Sequence, residues 1–471
     1  MLEIFGKIAA HSRQLATGFL FMSRFIQVSR HQQYLLPPSI DEWLPENHLA
    51  RFIAEVIDQL DLSRLTCRYT GRGSAAHHPS VLLALLVYGY ATGIFSSRKI
   101  ERATFDSVAF RFLSADTHPD HDTLANFRKT FLVELEDLFV QVLSLAQAMK
   151  LVKLGQISLD GTKIKANASK YKALSYGHIE KLEAQLREEV QLLLQKAAEA
   201  DQAEAHDGLD LPGELTRRED RLKALAEAKA KIVERVESRD AQVQQGYQDK
   251  VNRREAQRQA GEKPRGPEPK APEIGPQASD QINLTDEESR IMPSHEGFVQ
   301  GYNSQAAIDV ETLLIVATDV SQQTNDKQQV EPMLAELNKL PESFGSPDAL
   351  LADTGYFSAD NVKTCSEQGI EPLIAMGRDS HHLPLAERLA QDAPAPETDD
   401  PLENMAWYLK TKEGKARYAK RKSTVEPVFG ILKHVLGFRQ FSLRGLDAVK
   451  GEWKLVAIAF NMKRMHVLAA G

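Results

Sequence analysis

The stretch Ala349–Tyr356, reading ALLADTGY, constrains the fold of this chain more than any other. A short apolar run, Ala349 to Ala352, ends abruptly at Asp353 and is followed by Thr354 and Gly355. Such a run, bounded by a turn signal, is the pattern of a buried strand. In open α/β sheets, ligands gather outside the carboxyl ends of the strands. Asp353 is therefore expected at a strand end, where an acid is better placed for chemistry than on a surface helix.

Two other stretches carry acids in comparable settings. From Gln156 to Ser169 the chain reads QISLDGTKIKANAS. Ile157 and Leu159 alternate with polar residues, Asp160 follows, and Gly161 stands where a turn is expected before a second alternating run through Ile164. This predicts a hairpin with a carboxylate on its first strand and with Lys163 and Lys165 close by. From Tyr418 to Phe441, Val425, Phe429, Leu432 and Leu436 fall at helical spacing, with Glu426 beside the stripe. Three converging carboxylates repel one another, and a cation is the usual remedy. Two Mg²⁺ ions held by carboxylates can activate a water or hydroxyl and stabilise the leaving oxygen of a phosphodiester. Asp160, Asp353 and Glu426 form the candidate set. Asp309, Asp319 and Asp348 also lie at strand ends or starts, and spacing alone does not exclude them.

Together these stretches resemble the DDE transposases of bacterial insertion sequences, whose catalytic core is RNase H-like. In that group the third acid sits in a signature Tyr-x2-Arg-x3-Glu-x6-Lys. Here Tyr418, Arg421, Glu426 and Lys433 stand in that order. Arg421 to Glu426 is one residue longer than the signature, and Lys422 supplies a basic residue at the matching spacing. GFRQFSLRG (Gly437 to Gly445), IAFNMKRM (Ile458 to Met465) and GFVQGYNSQAAID (Gly297 to Asp309) are similar to segments of the same family. The resemblance implies an α/β fold: an RNase H-like mixed sheet flanked by helices, with an N-terminal all-α domain and a helical-hairpin insertion. It implies that Asp160, Asp353 and Glu426 are catalytic and bind two Mg²⁺ ions, with Mn²⁺ able to substitute. Tyr418, Arg421, Lys422 and Lys433 would contact DNA. The implied reaction cuts the ends of the element and transfers the strands to target DNA. The implied partner is double-stranded DNA, as terminal inverted repeats and as target, bound by a homodimer or higher oligomer at the nucleoid in the cytoplasm. The alternatives are a nuclease without strand joining and a domesticated or inactive DNA-binding regulator.

At 471 residues two or three domains are expected. The two cysteines, Cys67 and Cys365, lie far apart, which argues against a disulfide framework and fits a reducing compartment. No apolar stretch approaches the length needed to span a bilayer, and no signal peptide is read around Leu15–Met22. Residues 1–21 are expected to be an upstream extension without a structural role. The net charge of −7 is unlike that of a DNA-binding protein, but the distribution differs from the total. Trp407 to Gly471 holds 14 Lys and Arg against 4 Asp and Glu. Phosphate binding is a local electrostatic matter, so this segment counts for more than the sum.

Residues 34–150 read as a helical block, expected to be the N-terminal DNA-binding domain, with Arg98, Lys99 and Arg128 as candidate phosphate contacts. Ser96-Ser97 and Asp122-Thr123 are expected helix caps, the latter a plainer reading of His118–Asp122 than a metal site. Residues 151–174 and 281–471 are expected to form the catalytic domain, interrupted at 175–280. There, two heptad-like runs, His178 to Lys196 and Arg221 to Gln245, predict an antiparallel helical hairpin. Gly261 to Gln277, rich in Pro, Gly and charge, is expected to be disordered. Gln305–Val310 and Leu313–Val320 read as strands, Asn325-Asp326 as the cap of a following helix, and Pro372–Ala375 as a short strand. Gly377 to Asn404 reads as a polar loop. Tyr302 and Asn303 are placed either near the site or in packing.

Overall fold

The structure is a computed structural model that describes residues 39–69, 76–203, 211–261, 263–264, 266–294, 297–377 and 393–470. Ile40–Trp43 form one 3₁₀ turn in a unit separate from the one that begins at Leu44. Among the described residues the second unit opens with a single helical turn at Ser63–Thr66 and six longer helices: α1 (Leu49–Asp58), α2 (Pro79–Ala91), α3 (Ser97–Asp106), α4 (Val108–Leu113), α5 (His121–Thr130) and α6 (Glu134–Ala148). α2 starts with Pro at its first turn and is apolar on every side, so its residues from Leu82 to Ala91 are all buried. α5 begins at His121 because Asp120, not Asp122, accepts from the Thr123 amide at 2.6 Å. Ser96 precedes α3 but makes no capping bond with its side chain. The histidines nearby are occupied in packing: His118 Nδ1 lies 3.1 Å from the Thr104 hydroxyl, and His121 Nδ1 lies 2.8 Å from Glu101.

The sheet follows. Its strands are β1 (Gln156–Lys165), β4 (Arg290–Ser294), β5 (Gly297–Asp309), β6 (Ile315–Ser321), β7 (Ala349–Ala352) and β8 (Glu371–Ile374). The order is β4-β5-β1-β7-β8, with β6 also paired to the long β5. β1 runs antiparallel to β5 and parallel to β7, and β7 runs parallel to β8. β5 also runs antiparallel to β6. The sheet is therefore mixed, and along β6-β5-β1-β7-β8 it has the arrangement of an RNase H-like core. β7 is buried at all four positions, as its uninterrupted apolar run requires. Asp309 and Asp319 are engaged away from the acids: Asp309 accepts from Thr312, and Asp319 pairs with Lys450.

The final helix, α13 (Leu446–Ala470), packs against α2, α6 and β6. It joins the helical block and the sheet in one continuous apolar core. Trp453, almost fully buried, donates to the Gln305 carbonyl at 2.9 Å and so ties α13 to the middle of β5.

Two long helices interrupt the core, α7 (Tyr176–Ala203) and α8 (Leu211–Gln259). Ile179 and Leu186 pack with Leu225, Ile232 and Val236, so the heptad-like stripes face each other as expected. Of the turn expected over Asp201–Arg218, residues 204–210 lie outside the described residues, and Asp201–Ala203 and Leu211–Arg218 belong to the two helices. A small ribbon, β2 (Ala173–Ser175) with β3 (Gln281–Asn283), closes the base of the insertion. Among the described residues of the Gly261–Gln277 stretch there is no helix or strand. Arg254 donates to the Pro267 and Gly266 carbonyls, and Asp240 accepts from the Gly275 amide at 2.5 Å. Of the expected loop from Gly377 to Asn404, residues 378–392 lie outside the description, and α11 (Pro401–Tyr408), the helix that follows α10 (Ala359–Glu367), begins within it.

Candidate active site

The parallel register of β1 and β7 brings two acids level. Ser158 pairs with Leu351, and each strand's acid, Asp160 or Asp353, stands two residues further on. Opposite them runs α12 (Lys412–Gly430), capped by Thr411 and followed by a π-helical turn at Ile431–Val435. Arg421 on α12 places one guanidinium nitrogen, Nη2, 3.2 Å from Asp160 Oδ2 and 3.2 Å from Asp353 Oδ2. The Arg421 side chain is 11% exposed, that of Asp160 19% and that of Asp353 43%, so the site opens on the Asp353 side. Asp160 Oδ1 also accepts from the Gly161 amide at 2.8 Å, and Asp353 Oδ1 from the Gly355 amide at 2.8 Å. Tyr418, one turn before Arg421, donates to the carbonyl of Ala352 at 3.2 Å and fixes the helix to the end of β7.

Gly161 corrects the expected hairpin. β1 runs unbroken from Gln156 to Lys165, with Gly161 in its middle. Its missing side chain has a tertiary cause. A Cβ there would overlap the Gln305 amide and stand 2.8 Å from Asp326 Oδ1 and 2.9 Å from Asn303 Oδ1. Asp326 corrects a second expectation. The helix after it, α9 (Val330–Leu337), starts behind Gln329, too far on for Asp326 to cap. Asp326 instead turns into the acid site. Its Oδ1 accepts from Asn303 Nδ2 at 2.7 Å and Gln305 Nε2 at 2.8 Å, with Lys163 Nζ 3.7 Å away. The Tyr356 hydroxyl holds Gln305 from the other side. Asn303 is thus at the site, whereas Tyr302 points elsewhere and donates to Asp286 at 2.8 Å.

Burial is the largest influence on Asp160 and raises its pKa. Arg421 opposes it, while Asp353 and Asp326 add to it, and the carboxyl is pushed up to about 6 from 3.8. Asp160 therefore holds a proton more tightly in the folded chain than in the unfolded one. Its contribution to stability is full below about 3.8 and is lost as pH rises through about 6. In divalent-free buffer this loss should amount to on the order of 2–3 kcal/mol. Asp160→Asn should flatten that part of the profile when the two proteins are unfolded by denaturant at a series of pH values. Parallel profiles would remove Asp160 as its source.

The remaining expected residues are placed as follows. Glu426 lies on the exposed flank of α12 and, among the described residues, makes no hydrogen bond or ion pair with the acids. Lys422 is exposed, and Lys433 lies half-buried on the π-helical turn. The basic residue that reaches the acids is therefore Arg421, not Lys422. Arg98 and Lys99 stand exposed on α3. Arg128 does not, and the expectation that it meets phosphate is corrected. It is 8% exposed and donates to the Tyr90 hydroxyl at 2.8 Å and to the Phe95 carbonyl at 3.2 Å, with Glu452 4.0 Å away. The basic excess after Trp407 is likewise partly spent inside. Lys454 is buried against Glu136 and Glu336, Arg417 pairs with Glu371, and Arg421 with the two acids.

Sheet order, strand-end acids and the helix laid across them define an RNase H-like core of the α/β class. Residues 270–462 match a family described as Transposase DDE domain, and residues 38–130 match a second described as Transposase domain. The first match includes Asp326, Asp353 and α12 but begins downstream of β1. The two together take in well over half of the chain. No curated protein and no solved structure matches it. The chain belongs to the DDE transposases of insertion sequences.

Proposed function

We propose that this transposase cuts DNA at the ends of its own insertion sequence and joins the freed ends to a target, with Mg²⁺ as the natural cofactor and Mn²⁺ able to substitute. The observation that carries the reading is the convergence of Asp160 and Asp353 on one guanidinium nitrogen. Two carboxylates from neighbouring strands, one of them largely buried, form a site of unmet negative charge that hard cations fit. Among the described residues no three His, Cys, Asp or Glu side chains close on one point. In this reading Glu426, exposed on the helix that also brings Arg421, is the third acid. Bound metals supply an activated nucleophile and stabilise the leaving oxygen.

The reaction takes two steps. A water oxygen attacks the phosphodiester at the element's end, and the 3′ oxygen leaves and takes up a proton. That 3′-hydroxyl then attacks a target phosphodiester and displaces a second 3′ oxygen. Asp160 and Asp353 orient what they bind through the amides of Gly161 and Gly355, which fix one oxygen of each. Asp160 and Asp353 would hold the cation, and Arg421, which lies between them, would contact phosphate oxygens, where a guanidinium binds in two-pronged fashion. Lys422, Lys433 and Tyr418 line the same helix and its extension. Residues 34–150, with Arg98 and Lys99 exposed on α3, would read the terminal inverted repeats. The 175–280 insertion would stand outside the chemistry, and a homodimer or larger assembly would hold both ends at the nucleoid. No helix among the described residues is long and apolar enough to cross a membrane.

Purified protein, a labelled duplex carrying the element's end and a supercoiled target test this directly. Cut and joined products that require Mg²⁺ or Mn²⁺ are the expected result. Cutting without joining would leave a nuclease, and binding without cutting under either metal a regulator. The Gly161 contacts add a prediction: Gly161→Ala should slow cutting about a hundredfold, since a misplacement of 1 Å has that effect. The fold should survive a cost of about 1–3 kcal/mol for the added methyl. Wild-type rates would show that Asn303, Gln305 and Asp326 can give way without consequence.

A further inference from the structure

We infer that Asp326 is a further cation-binding carboxylate of this centre, beside Asp160 and Asp353. The inference rests on the metal-dependent reading above and adds a residue to it. Asp326 lies in the connection between β6 and α9, yet it is held as firmly as a strand residue. Two amides from β5, Asn303 Nδ2 and Gln305 Nε2, both fix its Oδ1, and both of those residues are fully buried. That leaves Oδ2 without a protein partner among the described residues. Oδ2 faces the loop that follows Asp353. A Cβ placed on Gly355 would stand 3.8 Å from Asp326 Oδ2 and 2.9 Å from Asp353 Oδ1, so both acids flank the same glycine. On the other side, the bare Cα of Gly161 lets the β1 backbone lie close against Asp326 Oδ1 and Asn303 Oδ1.

A second, independent observation points to a ligand beside Asp326. Asn303 Oδ1 is fully buried and accepts no hydrogen bond. A buried acceptor left unpaired costs about 1–3 kcal/mol, so such groups are rare unless something fills the place. Arg421 Nε, on the far side of the acids, is buried and unpaired as well. A hydrated divalent ion fits both the charge and the orphan. Mg²⁺ takes one or two carboxylates and keeps several waters, and such a water would donate to Asn303 Oδ1. Lys163 does not supply the missing partner. Its Nζ is 3.7 Å from Asp326 Oδ1, on the oxygen the amides already hold, and Oδ2 stays open.

The test is Mn²⁺ binding to the full-length protein without DNA, followed by titration calorimetry and by the rise in melting temperature on adding the ion. Asp326→Asn keeps the shape and still accepts from both amides, but it removes the charge. It should weaken Mn²⁺ binding about tenfold or more, the range seen when residues supporting a metal site are changed. Asp353→Ala is the control and should also lose affinity. The melting rise is read against each variant's own value in EDTA, so a general loss of stability does not mimic a loss of binding. If Asp326→Asn binds Mn²⁺ like the wild type while Asp353→Ala does not, Asp326 is only structural and the inference fails alone. If Asp353→Ala also binds like the wild type, the metal reading fails and this inference with it.

Discussion

Asp353→Ala is expected to slow metal-dependent cutting of the element's end by about a thousandfold or more while leaving DNA binding intact. A bound metal's stabilisation of charge in a phosphoryl transition state is worth several kcal/mol, and each 1.36 kcal/mol is tenfold in rate. Asp353 stands after the end of β7 with its side chain 43% exposed, whereas the strand residues Ala349 to Ala352 beneath it are fully buried. Removing its carboxylate therefore leaves the core untouched. Arg421 keeps its contact with Asp160, and the local charge becomes more positive, so phosphate affinity should hold or rise. The check is a labelled duplex cut in Mg²⁺ or Mn²⁺, with binding followed by fluorescence anisotropy and folding by thermal melting. Undiminished cutting would take Asp353 out of the site.

What the sequence made legible was whatever depends on local pattern. The four apolar residues before Asp353 could only be a strand buried on both faces, and β7 is one. The heptad-like stripes of the insertion meet as their spacing requires. What stayed hidden depends on partners that are distant in sequence. Gly161 reads as a turn because glycine usually marks one, yet here Asn303, Gln305 and Asp326 crowd the place of its side chain. Asp326 reads as a helix cap because Asn-Asp ahead of a helical run commonly is one. The local signal against it was the distance to Val330, since a capping side chain reaches only the first turn. Glu426 and Arg421 show the same limit on one helix. Both were legible from the signature, but which of the two meets Asp160 and Asp353 is set by the helix's rotation against β1 and β7. That rotation is fixed by Val425 and Val428 in the core.

Arg128 is the case with the largest consequence for the fold. Arg128→Ala is expected to destabilise the protein by about 3–5 kcal/mol, a large part of the 5–15 kcal/mol that domains possess. Glu452 on α13 is fully buried. Its Oε1 accepts from Tyr90 at 2.9 Å, and its Oε2 accepts from the amides of Ser442 and Leu443, each at 2.9 Å. Arg128 closes this network from α5 through the same tyrosine hydroxyl, and burial together with Glu452 drives the Tyr90 pKa upward. The group thus ties α2, α5, α13 and the loop before α13. Removing the guanidinium leaves a carboxylate buried without its counter-charge, which costs far more than losing an exposed ion pair. Glu452→Ala should destabilise comparably, and the double variant should cost less than the sum of the two, because the second change relieves the charge the first left stranded. Denaturant unfolding measures all three. The salt dependence of DNA binding separates this role from the one first expected of Arg128. A phosphate contact would reduce the slope by about one when removed, with stability unchanged. A structural arginine would leave the slope as it is and shift the unfolding midpoint, and the enclosure of Arg128 by Tyr90, Phe95 and Glu452 requires the second outcome.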